Sequence, residues 1–212
     1  MTLFCFIKGD LESDDWMMPL VATKIRKMDP LEALHTFITK VALPHAPEVD
    51  LVITREKSII MQILKKYKNP AFDLRSPLNV QFVSSGTFEL GVDAGGPTRD
   101  FLYILMKELV RGSFSGIKIF EGETGHLLPV FNYDLLSSHF FELVGKMVLH
   151  SVLHKCRGLA GISPPIASYI ISGSRDSVLE HLAVTDLPDP CLRHNLSEVH
   201  VLYSSNIQYD LM

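Results

Sequence analysis

The segment that most constrains this chain is Glu89-Leu90-Gly91-Val92-Asp93-Ala94-Gly95-Gly96-Pro97-Thr98-Arg99-Asp100-Phe101. Ahead of it, Leu78-Asn79-Val80-Gln81-Phe82-Val83 alternates apolar and polar residues, the pattern of a strand with one buried face. Ser84–Thr87 reads as a turn. Gly95-Gly96 allows backbone angles closed to other residues, and Pro97 fits the first turn of a helix. Phe101, Leu102, Leu105 and Leu109 then give that helix an apolar face, and Gly112 ends it. The segment is a strand–turn–helix joint. As an anion site it is poor, because no P-loop or G-x-G-x-x-G pattern is present and Asp93 would repel a phosphate. As a structural turn it asks for partners to Asp93 and Asp100, and Arg99 is the candidate.

Helical periodicity dominates elsewhere. Asp29 caps a helix that begins at Pro30, with Glu32 placed to reach back to the free amide. Leu31, Leu34, Phe37, Ile38 and Val41 form its face, and Pro44 and Pro47 end it in a short linker. A second helix runs from about Glu56 to Tyr67 around Ile59, Ile60, Ile63 and Leu64. Its Lys57, Lys65, Lys66 and Lys68 read as a solvated face with positive charge near the helix C-terminus. Gly112–Gly125 is rich in Gly and Ser, with a short strand at Ile117–Phe120. Ser137 or Ser138 caps a long, largely buried helix reaching about Cys156. Helices then start at Ser163-Pro164-Pro165, near Asp176, and at Asp189-Pro190. The fold class is α+β, mostly helical, with a few short strands.

Composition narrows the function classes. The chain has 212 residues, 47% of them hydrophobic, which suits one large globular domain or two small ones and not a disordered chain. With 20 Lys+Arg against 24 Asp+Glu it is mildly acidic, so phosphate-backbone binding is not expected. The longest apolar helix candidate, Phe140–Leu153, is interrupted by Glu142, Lys146 and His150 and is short of a membrane span. Three cysteines, Cys5, Cys156 and Cys191, make no disulfide framework. They suggest a reducing compartment, cytoplasmic or nuclear.

Three constellations invite chemistry. His150 and His154 lie one turn apart with Cys156 near, but Ser151 stands where a zinc-protease motif needs Glu, so packed or half-exposed histidines are expected. Cys191 with His194 or His200 would make a cysteine enzyme, yet a helix-entry residue is the better reading. No Ser-His-Asp arrangement is legible from spacing. No metal, no cofactor and no catalytic residue is assigned from these patterns.

The order of motifs resembles a known family. Ile53-Thr54-Arg55-Glu56, Asn69-Pro70-Ala71-Phe72-Asp73, Pro77–Phe82 and Gly91–Phe101 resemble, in sequence and spacing, the start of the HECT ubiquitin-ligase domain, whose turn reads G-[VI]-D-x-G-G-x-x-R-[ED]-F. Phe141–Met147, Gly161–Pro165 and Asp186–Pro190 are similar to later segments, so the likeness covers about residues 50–200. It implies a HECT N-lobe-like helical domain. Its motif residues are Arg55, Glu56, Gly91, Asp93, Gly95, Gly96, Arg99 and Asp100, with a structural role. The expected organisation is an N-terminal helical extension over 1–50, a partial N-lobe over 51–202 and a tail over 203–212.

In that family the N-lobe carries a subdomain that docks the ubiquitin-conjugating enzyme, and a C-terminal lobe carries the cysteine that accepts ubiquitin. The chain is expected to stop before both. Cys191 has Pro190 where the family's nucleophile has Thr, so it does not inherit that role. The resemblance thus implies partners among ubiquitin-pathway proteins or ligase substrates, no nucleic acid and no membrane, and no thioester formed by this chain alone. The alternative is a non-enzymatic interaction or competitor module. Apolar faces left uncovered would favour self-association.

Overall fold

The computed structural model describes residues 29–89 and 94–209, with side chains up to residue 199. The fold is α+β and mostly helical. It divides into two compact units, one built from the chain up to Ile117 together with Asn132–Leu159, the other from Lys118–Phe131 together with the chain from Ala160.

The first unit is laid on a small sheet. Strands β1 (Val49–Thr54) and β2 (Leu78–Ser84) are parallel, with Val49 opposite Leu78 and Thr54 opposite Val83. β2 turns back into β3 (Thr87–Phe88), antiparallel. Parallel neighbours need a crossover, and helix α2 (Ile59–Lys68) supplies it. Leu51 and Ile53 of β1 and Leu78, Val80 and Phe82 of β2 point into the core. They meet Ile59, Ile60, Ile63 and Tyr67 of α2, and Phe101, Leu102, Leu105 and Leu109 of α3 (Gly96–Arg111), all buried. A hairpin of β4 (Ser113–Phe114) and β5 (Ile117–Lys118) follows.

Helix α1 (Pro30–Val41) begins as its sequence dictates, with the Asp29 carboxylate accepting from the amides of Leu31 and Glu32. Its apolar face is only partly used. Ile38 is buried, whereas Leu31 is 76% exposed. Strand β1 was not among the elements expected from the sequence, which placed a short linker at Pro44 and Pro47 and the next helix from about Glu56. Its inward residues, Leu51 and Ile53, are only two, and its partner lies beyond α2, so no local pattern marks it. Helix α2 also starts later, capped by Ser58 rather than opening at Glu56.

The long helix differs at its entry. Asn132 caps a short helix α4 (Tyr133–Ser137), and Ser138 closes it. The chain then bends through His139 at φ 55° before α5 (Phe140–Leu153) begins. The serines expected as its cap therefore end the preceding helix, because Asn132 is an equally good cap placed earlier.

Helix α5 buries a histidine. His150 is fully buried, and its Nδ1 lies 2.6 Å from the Tyr67 hydroxyl. Its ring stacks edge-on with Phe72 and His154. Burial holds the Tyr67 phenol well above its usual pKa. Burial, helped by the neighbouring His154, lowers His150 to about 3.

In the second unit β6 (Phe120–Glu121) pairs antiparallel with β7 (Leu128–Pro129). Leu127 bridges Ile162 just before α6 (Pro164–Ser172), which Gly173 ends. A single helical turn α7 (Asp176–Leu179), a 3-10 turn Val184–Asp186 and α8 (Pro190–Tyr209) complete it.

The buried histidine sets an acid sensitivity. The unfolded chain takes a proton at His150 near pH 6.5 and the folded chain near 3, so the unfolded state binds more protons between those limits. Stability should therefore fall as pH drops below about 6.5, by up to about 1.4 kcal/mol per pH unit from this group. Urea titrations across that range check it. His150→Asn, which keeps a partner for the Tyr67 hydroxyl but does not titrate, should flatten the slope.

Candidate functional site

The joint between β1 and α2 carries the motif residues Arg55 and Glu56, and Arg55 reaches a third, Asp100. The turn Thr54–Ser58 is held from several sides. Gln62, one turn into α2, reaches back so that its side-chain amide donates to the carbonyls of Thr54 at 2.9 Å and Lys57 at 3.1 Å. Its Oε1 accepts from the Thr54 amide at 2.8 Å. Glu56 accepts from the Ser84 hydroxyl at 3.0 Å and the Ser85 amide at 2.9 Å. The Ser85 amide, chiefly, holds the Glu56 carboxyl below its usual range.

Arg55 is the centre. Its guanidinium donates through Nε and Nη2 to the Glu89 carboxylate, the Nη2 bond at 2.9 Å, and through Nη1 to Asp100 at 2.9 Å. Its carbon lies 3.8 Å from the centre of the Phe82 ring, close enough for a cation–π contact. The bond to Glu89 is the main reason the guanidinium is held more firmly protonated than usual, and the same bond lowers Glu89. One side chain thus joins the β1–α2 turn, the core of β2, the end of the hairpin and the first turn of α3. Its Nε, Nη1 and Nη2 all face protein carboxylates, so it acts as a latch rather than a receptor for an outside anion.

The arginine that meets Asp100 is therefore Arg55, where the sequence pointed to Arg99. Arg99 instead folds over its own helix start, with its Nη2 3.5 Å from where a Cβ on Gly95 would stand. Gly95 has φ 93°, a left-handed angle that suits glycine, and Gly96 opens α3 behind it. Gly91 and Asp93 lie outside the described residues.

The other end of α3 completes the frame. The Glu108 carboxylate accepts from the Ser58 hydroxyl and, at 2.8 Å, from the Ile59 amide. It thereby caps α2 from a neighbouring helix. One turn on, α3 stops at Gly112, where a Cβ would stand 2.4 Å from the Glu108 carbonyl oxygen.

The second unit holds a constellation that spacing did not reveal. Asp186, 4% exposed, accepts on one oxygen from the Ser163 hydroxyl at 2.7 Å and from His126 Nδ1 at 2.7 Å. Its other oxygen accepts from the Ala183 amide at 2.9 Å. These are the residue types of a hydrolase triad in the wrong order. A triad needs the histidine between serine and carboxylate, and here the carboxylate stands between. Ser163 is fully buried as well. The group ties the start of α6 to the β6–β7 loop and the 3-10 turn. Burial would raise the Asp186 carboxyl, but the bonds from His126, Ser163 and Ala183 outweigh it and leave it below the usual range.

Cys191 is exposed in the first turn of α8, with its amide donating to Asp189 at 2.8 Å. His194 faces Glu198, 3.4 Å away. Burial pushes the Cys156 thiol up, against a smaller opposite pull from Arg99. Among the described residues no helix is long and apolar enough to cross a membrane.

No protein-family model matches the chain. A human protein named "Probable E3 ubiquitin-protein ligase HERC4" is 29% identical over 125 residues, which is 58% of this chain and 11% of that protein. Rat and mouse proteins of the same name are 32% identical over 101 residues, 47% of this chain and 9% of each. The matched stretch is thus about a tenth of the length of these curated relatives. About half of the chain is similar to a protein of the ubiquitin-ligase class.

Two sets of substitutions test the frame. Arg55→Lys should lower the melting temperature nearly as much as Arg55→Ala, because an ammonium cannot bridge two carboxylates in a fork and stack on Phe82. Asp186→Ala leaves the buried Ser163 hydroxyl and the Ala183 amide without their acceptor. It should cost roughly 2 kcal/mol or more in denaturant titration.

Proposed function

We propose that this chain is a HECT N-lobe-like module of a ubiquitin-ligase-related protein, acting through binding and not by carrying ubiquitin itself. The observation that carries the reading is the meeting of Arg55 with Asp100 at 2.9 Å. These belong to two of the ordered motif segments, far apart in sequence, and their pairing gives the motif order a physical reason. The partial similarity to a probable E3 ubiquitin-protein ligase supports the same class. In this reading residues 51–202 are the lobe-like part, with 1–50 as an extension and 203–212 as a tail. Arg55, Glu56, Gly95, Gly96 and Asp100 serve as its frame, together with Gly91, Asp93 and Arg99.

The chain's own residues supply no thioester step in this proposal. Thioester formation needs a thiolate within reach of the ubiquitin carbonyl and activated by its surroundings. Cys156 is disfavoured as a thiolate by burial. Cys191 lacks the family's preceding Thr. The partners are then ubiquitin-pathway proteins or ligase substrates, met in the cytoplasm or nucleus.

A charging assay with activating enzyme, a panel of conjugating enzymes and ubiquitin tests this. No reducible ubiquitin adduct should form on the chain. An adduct lost in Cys191→Ser would overturn the reading. Pull-down of ubiquitin-pathway components or candidate substrates by the wild-type chain should succeed and should weaken in Arg55→Ala. Failure to capture any of them would count against the ubiquitin-pathway assignment.

A further inference from the structure

In the first unit α1, the loop after it and the C-terminal end of α5 enclose a groove of about 460 Å³. Its walls are apolar, formed by Ile38, Ala42, Pro44, Pro77 and Leu153. Arg75, His154 and Lys155 stand on its rim, and none of its described lining residues is acidic. Arg75 shares its charge with Asp73 at 2.9 Å, so the exposed Lys155 supplies most of the positive field there. The apolar surface continues along α1. Leu31, Leu34 and Ile38 fall at i, i+3 and i+7 and share one helix face. Leu31 is 76% exposed and Leu34 43%. An open apolar track therefore leads from the groove along about 10 Å of α1. Charge changes sign along it, because Asp29 and Glu32 mark the start of α1 and the basic rim stands at its far end.

We propose that the groove and track dock a segment of a partner protein, an amphipathic helix with carboxylates in its first turn and apolar side chains along one face. The carboxylates meet Lys155 and lie away from Asp29 and Glu32, which fixes the direction of the segment. Its first apolar side chain enters the groove between Ile38, Pro77 and Leu153. The following ones, a helical turn apart, cover Leu34 and Leu31. The acidic first turn then also complements the partner helix's own dipole.

The shape decides for a chain over a small ligand. A small ligand is enclosed on most of its surface by its pocket. Here the groove opens lengthwise onto a helix face, which a chain can cover with successive side chains. Apolar burial supplies the attraction. The charges set orientation more than affinity, because exposed pairs are individually weak whereas like charges are repelled. This inference rests on the reading of the chain as a binding module and gives that module a surface. Its test contains no ubiquitin-pathway component, so the surface and the pathway assignment can fail separately.

Fluorescence anisotropy with the full chain provides the test. The probe is a fluorescein-labelled helical peptide with three glutamates in its first turn and leucines at i, i+4 and i+7 after them. Its counterpart carries three lysines in place of the glutamates. The acidic probe should bind saturably, and the basic one about tenfold more weakly. Lys155→Glu should weaken the acidic probe several-fold and narrow the gap between the two. Ala42→Gln in the wall and Leu31→Ser on the track should weaken both. Lys107→Glu, an exposed substitution that does not line the groove, should change neither. Far-UV circular dichroism selects the folded variants. An acidic probe that does not saturate would overturn the proposal. So would equal affinity for the two probes, or binding that neither Lys155→Glu nor Leu31→Ser moves. Sodium laurate binding where the peptide does not would assign the groove to a small amphipathic anion. A dimer seen by analytical ultracentrifugation and dissolved by Leu31→Ser would assign the track to a second copy. Either result would overturn docking of a partner segment.

Discussion

The first unit depends on a single guanidinium. Arg55 sits in a five-residue turn between a strand and its crossover helix, and it binds Glu89, Asp100 and the face of Phe82 together. Parallel strands cannot be joined by a tight hairpin, so β1 and β2 find their register only if the long connection between them is anchored. Arg55 and Glu56 anchor its start to the far end of β2. Glu108 anchors the entry to α2 by taking the Ile59 amide. The helix that receives Asp100 and presents Glu108 is the same helix, α3. One rigid element therefore holds both ends of the joint, and the apolar faces of α2 and α3 are brought into contact as a result.

The second unit solves a similar problem with the opposite charge. Apart from α8 its elements are short, and its described buried apolar residues are few. The carboxylate of Asp186 gathers donors from three places in the chain, and each bond is stronger for being charge-assisted and shielded from water. A buried ion of this kind stabilises only while its partners are complete. The residues look like a triad by type, and only the order of contacts shows that they hold backbone rather than perform chemistry. What the frame does rests on the surfaces it presents.

Much of this was legible in the sequence. The cap at Asp29, the strand at Leu78–Val83 (which runs on through Ser84), the stop at Gly112 and the helix starts at Pro164 and Pro190 depend on residues within a turn or two of each other, and the structure has them close to where the chain implied. For His150 and His154 the sequence left packed and half-exposed open, and the structure buries His150 on the long apolar helix α5. Strand β1 was not legible. Its two inward residues carry too little pattern, and its pairing is decided by a partner beyond α2. Nor was the identity of the partner to Asp100. Sequence proximity favoured Arg99, but the guanidinium that meets Asp100 comes from the β1–α2 turn, while Arg99 lies over Gly95.

By itself the sequence determined the strand at β2, the helix start at Gly96-Pro97 and the mostly helical α+β class, since these follow from local backbone preferences and short-range periodicity. Only the tertiary structure decided which charges meet. It turned Arg55 into the latch, made Asp186 the centre of the Ser163–His126 group, and opened a groove with a basic rim beside α1. Hydrogen bonds and ion pairs act over a few ångströms, and the residues that make them here are separated by tens of positions that only folding brings together.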